Sequence, residues 1–181
     1  MAVDRTAEEF AQRYLEEVRR CVGLAYVLCG DEETAEEVVA DAFAACWPHF
    51  RAGKVDDVHA YLRRAVVNTV NSRLRRRRLE RAHLDGLRAV GAAAGSARID
   101  ASGAGEAAAA DRSELWPALL ALPMAQRSVL ALRFLEDRSE AETAAILGVR
   151  PGTVKSRTAR ALADLRAALG EPDDGEEADH A

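Results

Sequence analysis

Residues 139–169, SEAETAAILGVRPGTVKSRTARALADLRAAL, constrain the fold more than any other stretch. Ser139 is a good helix N-cap, and Glu142 three residues on completes a capping box. Ala141, Ala144, Ala145 and Leu147 offer a small apolar face, and Gly148 permits the left-handed turn that ends this helix. Val149 fills the angle that follows. Pro151 stands where a first helical residue tolerates a missing N–H. Val154, Thr158, Ala161, Leu162, Leu165 and Leu169 then recur at helical spacing, so one side of a second helix packs inward.

The outer side of that second helix carries short hydroxyls and cations. Between residues 150 and 160 there are four basic residues and no acidic one. A positive helix N-terminus with such side chains suits a phosphate backbone, and Lys155 and Arg157 have the reach for base edges in a major groove. The pattern predicts a helix-turn-helix whose second helix reads DNA. The candidate contacts are Arg150, Thr153, Lys155, Ser156, Arg157 and Arg160.

A formal net charge of −5 would argue against a nucleic-acid partner, but the sum averages opposed blocks. Residues 61–83 hold eight Arg against one Glu, whereas residues 31–41 hold six acids and no base. Residues 171–181 hold six acids and no Lys or Arg. The blocks carry the information.

Upstream, three helices are expected. The first, about 8–28, has Phe10, Tyr14, Leu15, Val18, Val22, Ala25 and Tyr26 on one side. The second, about 32–47, ends at a turn marked by Trp47-Pro48 and Gly53. Ala35, Val38, Val39, Ala42, Phe43 and Cys46 form its core face, and Glu33, Glu36, Glu37, Ala40 and Asp41 face away. Taken alone, those acids read as a solvated face with favourable charge near a helix N-terminus. The third, about 57–81, buries Val58, Tyr61, Leu62, Ala65, Val66 and Val70 and ends in an arginine run. Four consecutive arginines exceed what capping of a helix C-terminus needs, and such a cluster releases counterions from bound phosphates. Tyr61, Asn68 and Ser72 stand beside it, placed for stacking and base-edge hydrogen bonds.

Residues 84–112 hold 11 Ala and five Gly with no periodic apolar face, which reads as a linker. Two short helices follow, about 113–121, capped by Ser113, and 123–135, with Val129, Leu130, Leu132, Phe134 and Leu135 as core. The fold class is all-α, with two small helical domains joined by a flexible linker. The domains are 8–82 and 113–170, the linker is 83–112, and 171–181 form an acidic disordered tail.

Cys21, Cys29 and Cys46 form no metal-type spacing and read as buried free thiols. His49, His59, His83 and His180 are scattered, and no phosphate loop or metal box appears, so neither catalysis nor a cofactor is expected. No signal-peptide pattern or membrane-length apolar run is present, which predicts a cytoplasmic protein.

Taken together, the chain resembles an extracytoplasmic-function (group IV) sigma factor of bacterial RNA polymerase. GDEETAEEVVADAFAACWPHF is similar to sigma regions 2.1–2.2, AYLRRAVVNTVNSRLRRRR to regions 2.3–2.4, and ALLALPMAQRSVLALRFLEDRSEAETAAILGVRPGTVKSRTARAL to regions 4.1–4.2. The SEAE and GTVKSR segments are nearest the SigE-like group of actinomycetes. The resemblance implies that Glu36, Glu37, Ala40 and Asp41 bind the β′ clamp helices of core polymerase. It implies that Tyr61, Arg64, Asn68, Asn71, Ser72, Arg75, Arg76, Arg77 and Arg78 engage the −10 element, Asn68 beside a flipped base. The helix-turn-helix would read the −35 element, and the β flap would contact the second domain's core. Double- and single-stranded promoter DNA are the implied nucleic-acid partners, and an anti-sigma factor is a further one. This chain has Ala40 and Asp41 where the family commonly has Gln then Glu, and Tyr61 where Trp is usual. The alternative is a LuxR-like helix-turn-helix regulator, which shares the GVRPGTVKSR style of turn but would not replace a sigma subunit.

Overall fold

The structure is a computed structural model that describes residues 6–89 and 114–170, excluding the side chains of residues 78 and 81–89. Seven α-helices and one π-helical segment make up the described residues, with no strand among them: α1 (Ala7–Cys29), α2 (Glu32–Arg51), α3 (Val58–Ala89), α4 (Leu115–Ala121), α5 (Met124–Leu130), α6 (Glu140–Leu147) and α7 (Pro151–Leu169). The π-helical segment is Ala131–Leu135. The chain is therefore all-α, as its periodicity predicts.

Helices α1–α3 form the first bundle. A capping box of Thr6 and Glu9 starts α1, and Gly30, in the left-handed region at φ 78°, ends it. Asp31 caps α2 by accepting from the Thr34 N–H at 2.7 Å. The expected core of α2 is buried throughout. That of α1 is shifted: the buried line runs through Glu17, Cys21, Leu24 and Leu28, while Leu15, placed in the core by the sequence, is 69% exposed and Tyr14 is 42% exposed.

Three expected boundaries move. Helix α2 continues through Pro48 to Arg51. Pro48 and Ala44, whose carbonyl loses its partner, both lie on the exposed side, and buried Phe50 anchors the last turn. Helix α3 runs on to Ala89, so the linker does not begin at 83; residues 90–112 and the acidic tail lie outside the described residues. Helix α4 starts at Leu115 with Glu114 as its N-cap, and Ser113 is not described.

In the second half, α5 passes directly into the π-helical segment, where the Glu136 N–H reaches the Ala131 carbonyl at 3.0 Å. Widening the turn to i→i+5 shifts the phase of the side chains. Leu132 stays fully buried, but Phe134 and Leu135, both expected in the core, are 61% and 53% exposed. The helix-turn-helix forms as predicted, with the Ser139–Glu142 capping box and Gly148 at φ 65°. Its α6 core is Thr143, Ala144 and Ile146, and the expected Ala141 and Ala145 are exposed. Val149 packs with Val129, Ala144 and Val154.

The two halves are packed together. Met124, Ala131, Leu132 and Ile146 belong to the same apolar cluster as the core of α1–α3. Trp116 stacks on Tyr26 with ring centroids 4.8 Å apart and planes 14° apart. A Cβ on Gly30 would lie 2.9 Å from the Leu120 methyls, so glycine there admits close approach of α4 as well as the turn.

Candidate nucleic-acid and polymerase interface

Helix α3 presents two unlike faces. At about 100° per residue, Tyr61, Arg64, Asn68, Asn71, Ser72 and Arg75 fall on one stripe about 100° wide. Arg64, Asn68, Asn71, Ser72 and Arg75 are exposed, and Tyr61 is half-buried against His49, with ring centroids 6.0 Å apart. Polar hydrogen-bonding groups and cations thus alternate along a solvent-facing surface.

The arginine run divides between the two faces. Arg73 and Arg77 lie about 180–220° around the helix from Arg64, toward α2. Arg73 Nη1 donates to Glu37 Oε2 at 2.6 Å and Arg73 Nη2 to Asp41 Oδ2 at 2.7 Å. The bonds to Glu37 and Asp41 outweigh the cost of partial burial and raise the Arg73 guanidinium further above its ordinary value. Arg77 turns its guanidinium to the Thr34 hydroxyl at 3.4 Å. Arg77 therefore leaves the stripe the sequence assigned it to. Arg76 is exposed beside the stripe and bridges to Glu80 at 2.8 Å. The side chain of Arg78 is not described.

The acidic residues of α2 form a ridge next to this helix. Glu33, Glu36, Glu37, Ala40 and Asp41 are all exposed. Glu37 and Asp41 are one turn apart, and like charges at that spacing repel. Arg73 between them offsets that repulsion and fixes the two carboxylates side by side.

On α7, Lys155, Ser156 and Arg160 are exposed opposite buried Val154 and Ala161. Thr153 and Arg157 are half-buried at the edge of that face, and Arg150 is exposed at the N-cap. The Ser156 hydroxyl donates to the Thr153 carbonyl at 3.1 Å, leaving its lone pairs outward. Gln126 Nε2 donates to Asp164 at 2.8 Å and ties α5 to α7.

Sequence reasoning missed the charged group at the centre of the molecule. Arg63 is 0% exposed. Its Nη1 donates to Glu17 Oε2 and its Nε to Glu136 Oε2, each at 2.6 Å. The other Glu17 oxygen is 2.6 Å from His59 Nδ1. Burial acts to raise the Glu17 carboxyl, but Arg63 and His59 outweigh it and hold it below its ordinary 4.5. A carboxyl lowered on folding stabilises above its unfolded value and loses that contribution as pH falls through its folded value. Urea midpoints are therefore expected to fall below about pH 4.5, and Glu17→Gln is expected to flatten that part of the profile. The clue was available: Glu17 lies on the buried line of α1 and Arg63 between Leu62 and Val66, each a charge on an apolar stripe.

The cysteines are not ligands in any cluster of the described residues. Burial pushes the Cys21 thiol up to about 12 and that of Cys46 to about 11.

An acidic ridge on α2 beside a polar and basic stripe on α3, with a helix-turn-helix in the second half, is the arrangement the structure presents. Comparison with known proteins gives the class. A family model described as Sigma-70 region 2 matches residues 11–80, and one described as Sigma-70, region 4 matches residues 112–165. The chain is 34% identical over 172 residues to the ECF RNA polymerase sigma factor SigM of Mycobacterium tuberculosis, covering 94% of this chain and 81% of that one. It is 43% identical over 110 residues to the RNA polymerase sigma-E factor of Streptomyces antibioticus, covering 61% of this chain and 56% of that protein's length. The sigma factor RpoE of Bartonella quintana, solved in complex with the anti-sigma factor NepR, superposes with a TM-score of 0.71 at 25% identity, covering 91% of this chain and 98% of that one. The chain belongs to the extracytoplasmic-function sigma factors of the Sigma-70 family.

Proposed function

We propose that the chain binds core RNA polymerase and directs it to a set of promoters, opening the −10 element and reading the −35 element. The observation that carries this reading is the pairing of two unlike surfaces on one bundle: the α2 ridge of Glu36, Glu37, Ala40 and Asp41, and the α3 stripe from Tyr61 to Arg75. The ridge fits the basic β′ clamp helices. The stripe fits a single strand, with Asn68 against an unstacked base and Arg75 and Arg76 on phosphates. Trapping such a base offsets the few kcal/mol that unstacking costs. Lys155, Ser156 and Arg160 lead the −35 contacts, with Arg150, Thr153 and Arg157 at their edge, while the β flap takes the core of the second domain. Family membership favours this reading over a classical helix-turn-helix regulator, since region 2 is present as well as region 4.

Sigma factors are generally non-enzymatic, and no cofactor enters the account. No helix among the described residues is long and apolar enough to cross a membrane. Work beside polymerase places the protein in the cytoplasm. The relative solved with an anti-sigma factor supports a partner of that kind here as well.

The test is equilibrium binding of the labelled protein to core polymerase and of the assembled holoenzyme to promoter DNA. Submicromolar core binding is expected; duplex binding without core binding would instead indicate a classical regulator. Within that assay, Arg75→Ala and Arg76→Ala are each expected to weaken DNA binding across sequences and to reduce the salt slope by about one. Arg77→Ala, on the other face of α3, should leave that slope near wild type.

A further inference from the structure

We propose that Arg73 is a positioning residue for the docking of core polymerase, an inference that rests on the sigma-factor reading above: it presets Glu37 and Asp41 as a fixed pair of carboxylates and so slows release of the partner. Arg73 stands three residues after Val70 and seven after Val66, both buried, and continues the inward line of α3. At that height the line leaves the bundle core and meets the flank of α2. The two helices run antiparallel along this seam, with Arg77 at Thr34 and Arg73 at Glu37 and Asp41. An arginine on this line therefore reaches the rim of the acidic ridge, not the polar stripe on the opposite side of α3.

The bonding pattern divides the ridge in two. Arg73 Nη1 holds Glu37 Oε2 and Nη2 holds Asp41 Oδ2, one nitrogen to each carboxylate, which leaves Glu37 Oε1 and Asp41 Oδ1 for a partner. A planar guanidinium fork fixes both side chains at once, as an ammonium cannot. Glu33 and Glu36 are exposed, and their side chains have no hydrogen bond or ion pair among the described residues. They supply attraction at a distance, which governs how fast a basic partner arrives. The fixed pair acts at contact. Each loose side chain that must be ordered on docking costs roughly two- to tenfold in affinity, and Glu37 and Asp41 are already ordered in the free protein.

Stability alone does not account for the bridge. The side chains of Glu37 and Asp41 are 59% and 60% exposed, and ion pairs so open to water add little to folding. Arg73 also offsets part of the charge that draws a basic partner, so it works against association. Its contribution is order. Without it the two carboxylates, one turn apart, repel and take up separate rotamers.

The test follows association and dissociation of the full chain on immobilised core polymerase at low salt. Arg73→Ala is expected to dissociate about tenfold faster, while associating at least as fast as wild type and unfolding near the wild-type urea midpoint. Arg73→Lys, which restores the charge but not the fork, should fall between the two. Because Arg73 acts through its two partners, Arg73→Ala should add nothing in a background of Glu37→Gln and Asp41→Asn. The salt slope of holoenzyme binding to promoter DNA should stay at its wild-type value in Arg73→Ala. Dissociation of Arg73→Ala at the wild-type rate or slower would overturn the proposal, as would the same acceleration in the neutral background. Loss of helical circular dichroism in Arg73→Ala would make the bridge a folding element and overturn it too. No core binding by the wild type would sink the sigma-factor reading itself, whereas tight wild-type binding left unaltered by Arg73→Ala would sink only the role given to Arg73.

Discussion

Replacing Arg63 with alanine is expected to destabilise the protein by about 3–5 kcal/mol, read as a lower midpoint in urea unfolding. The change removes the buried guanidinium that pairs with the Glu17 carboxylate and leaves that carboxylate, with half-exposed His59 as its remaining neighbour, beside buried Cys21 and Leu24. Truncation also vacates space in the middle of the α1–α3 core, which adds to the loss. The cost belongs to the uncompensated charge more than to the value of the bridge. Taking two or three ions out of water offsets most of their attraction, so removing the whole set together should be tolerated. Accordingly, Glu17→Leu, Arg63→Met and Glu136→Leu combined should recover most of the stability lost by Arg63→Ala alone. A triple variant as unstable as the single one would mean that the ions do more than satisfy one another.

Reversing the ridge charges with Glu37→Lys and Asp41→Lys is expected to weaken core polymerase binding by about 2 kcal/mol or more, roughly 30-fold. Two lysines would face a basic partner, and like charges across an interface are strongly disfavoured. The same change strands Arg73, which now bonds both carboxylates. Adding Arg73→Glu restores an intramolecular bridge of reversed sign. That variant should regain stability, yet still fail to bind core. Recovery of core binding on adding Arg73→Glu would show that the ridge matters only for packing α2 against α3. The intramolecular bridge is exposed and contributes at most about 1 kcal/mol, so the two effects are separable in size.

Much of this molecule is legible locally. The α2 core follows from its i, i+3, i+4 spacing, and the helix-turn-helix from one capping box, one left-handed glycine and one N1 proline. What escaped the sequence depends on partners far along the chain. Arg63 counts as one of eight arginines in a basic block, and only Glu17 and Glu136, 46 and 73 residues away, turn it into a core residue. Arg77 likewise reads as a DNA ligand until α2 is packed against its side of α3. Phe134 and Leu135 follow an α-helical phase that the π-helical turn breaks. Pro48 reads as a stop because its effect depends on whether the orphaned carbonyl meets solvent. The seam between the domains has no local signature, since Tyr26, Gly30, Trp116 and Leu120 are unremarkable one at a time.

Run-off transcription on fragments of the source genome, with core polymerase alone and with this protein added, tests the central claim most directly. The account predicts discrete start sites that require the protein, each preceded by shared −10 and −35 elements. Those starts should vanish with Glu37→Lys and Asp41→Lys. Binding of duplex DNA with no core association and no new start sites would contradict it.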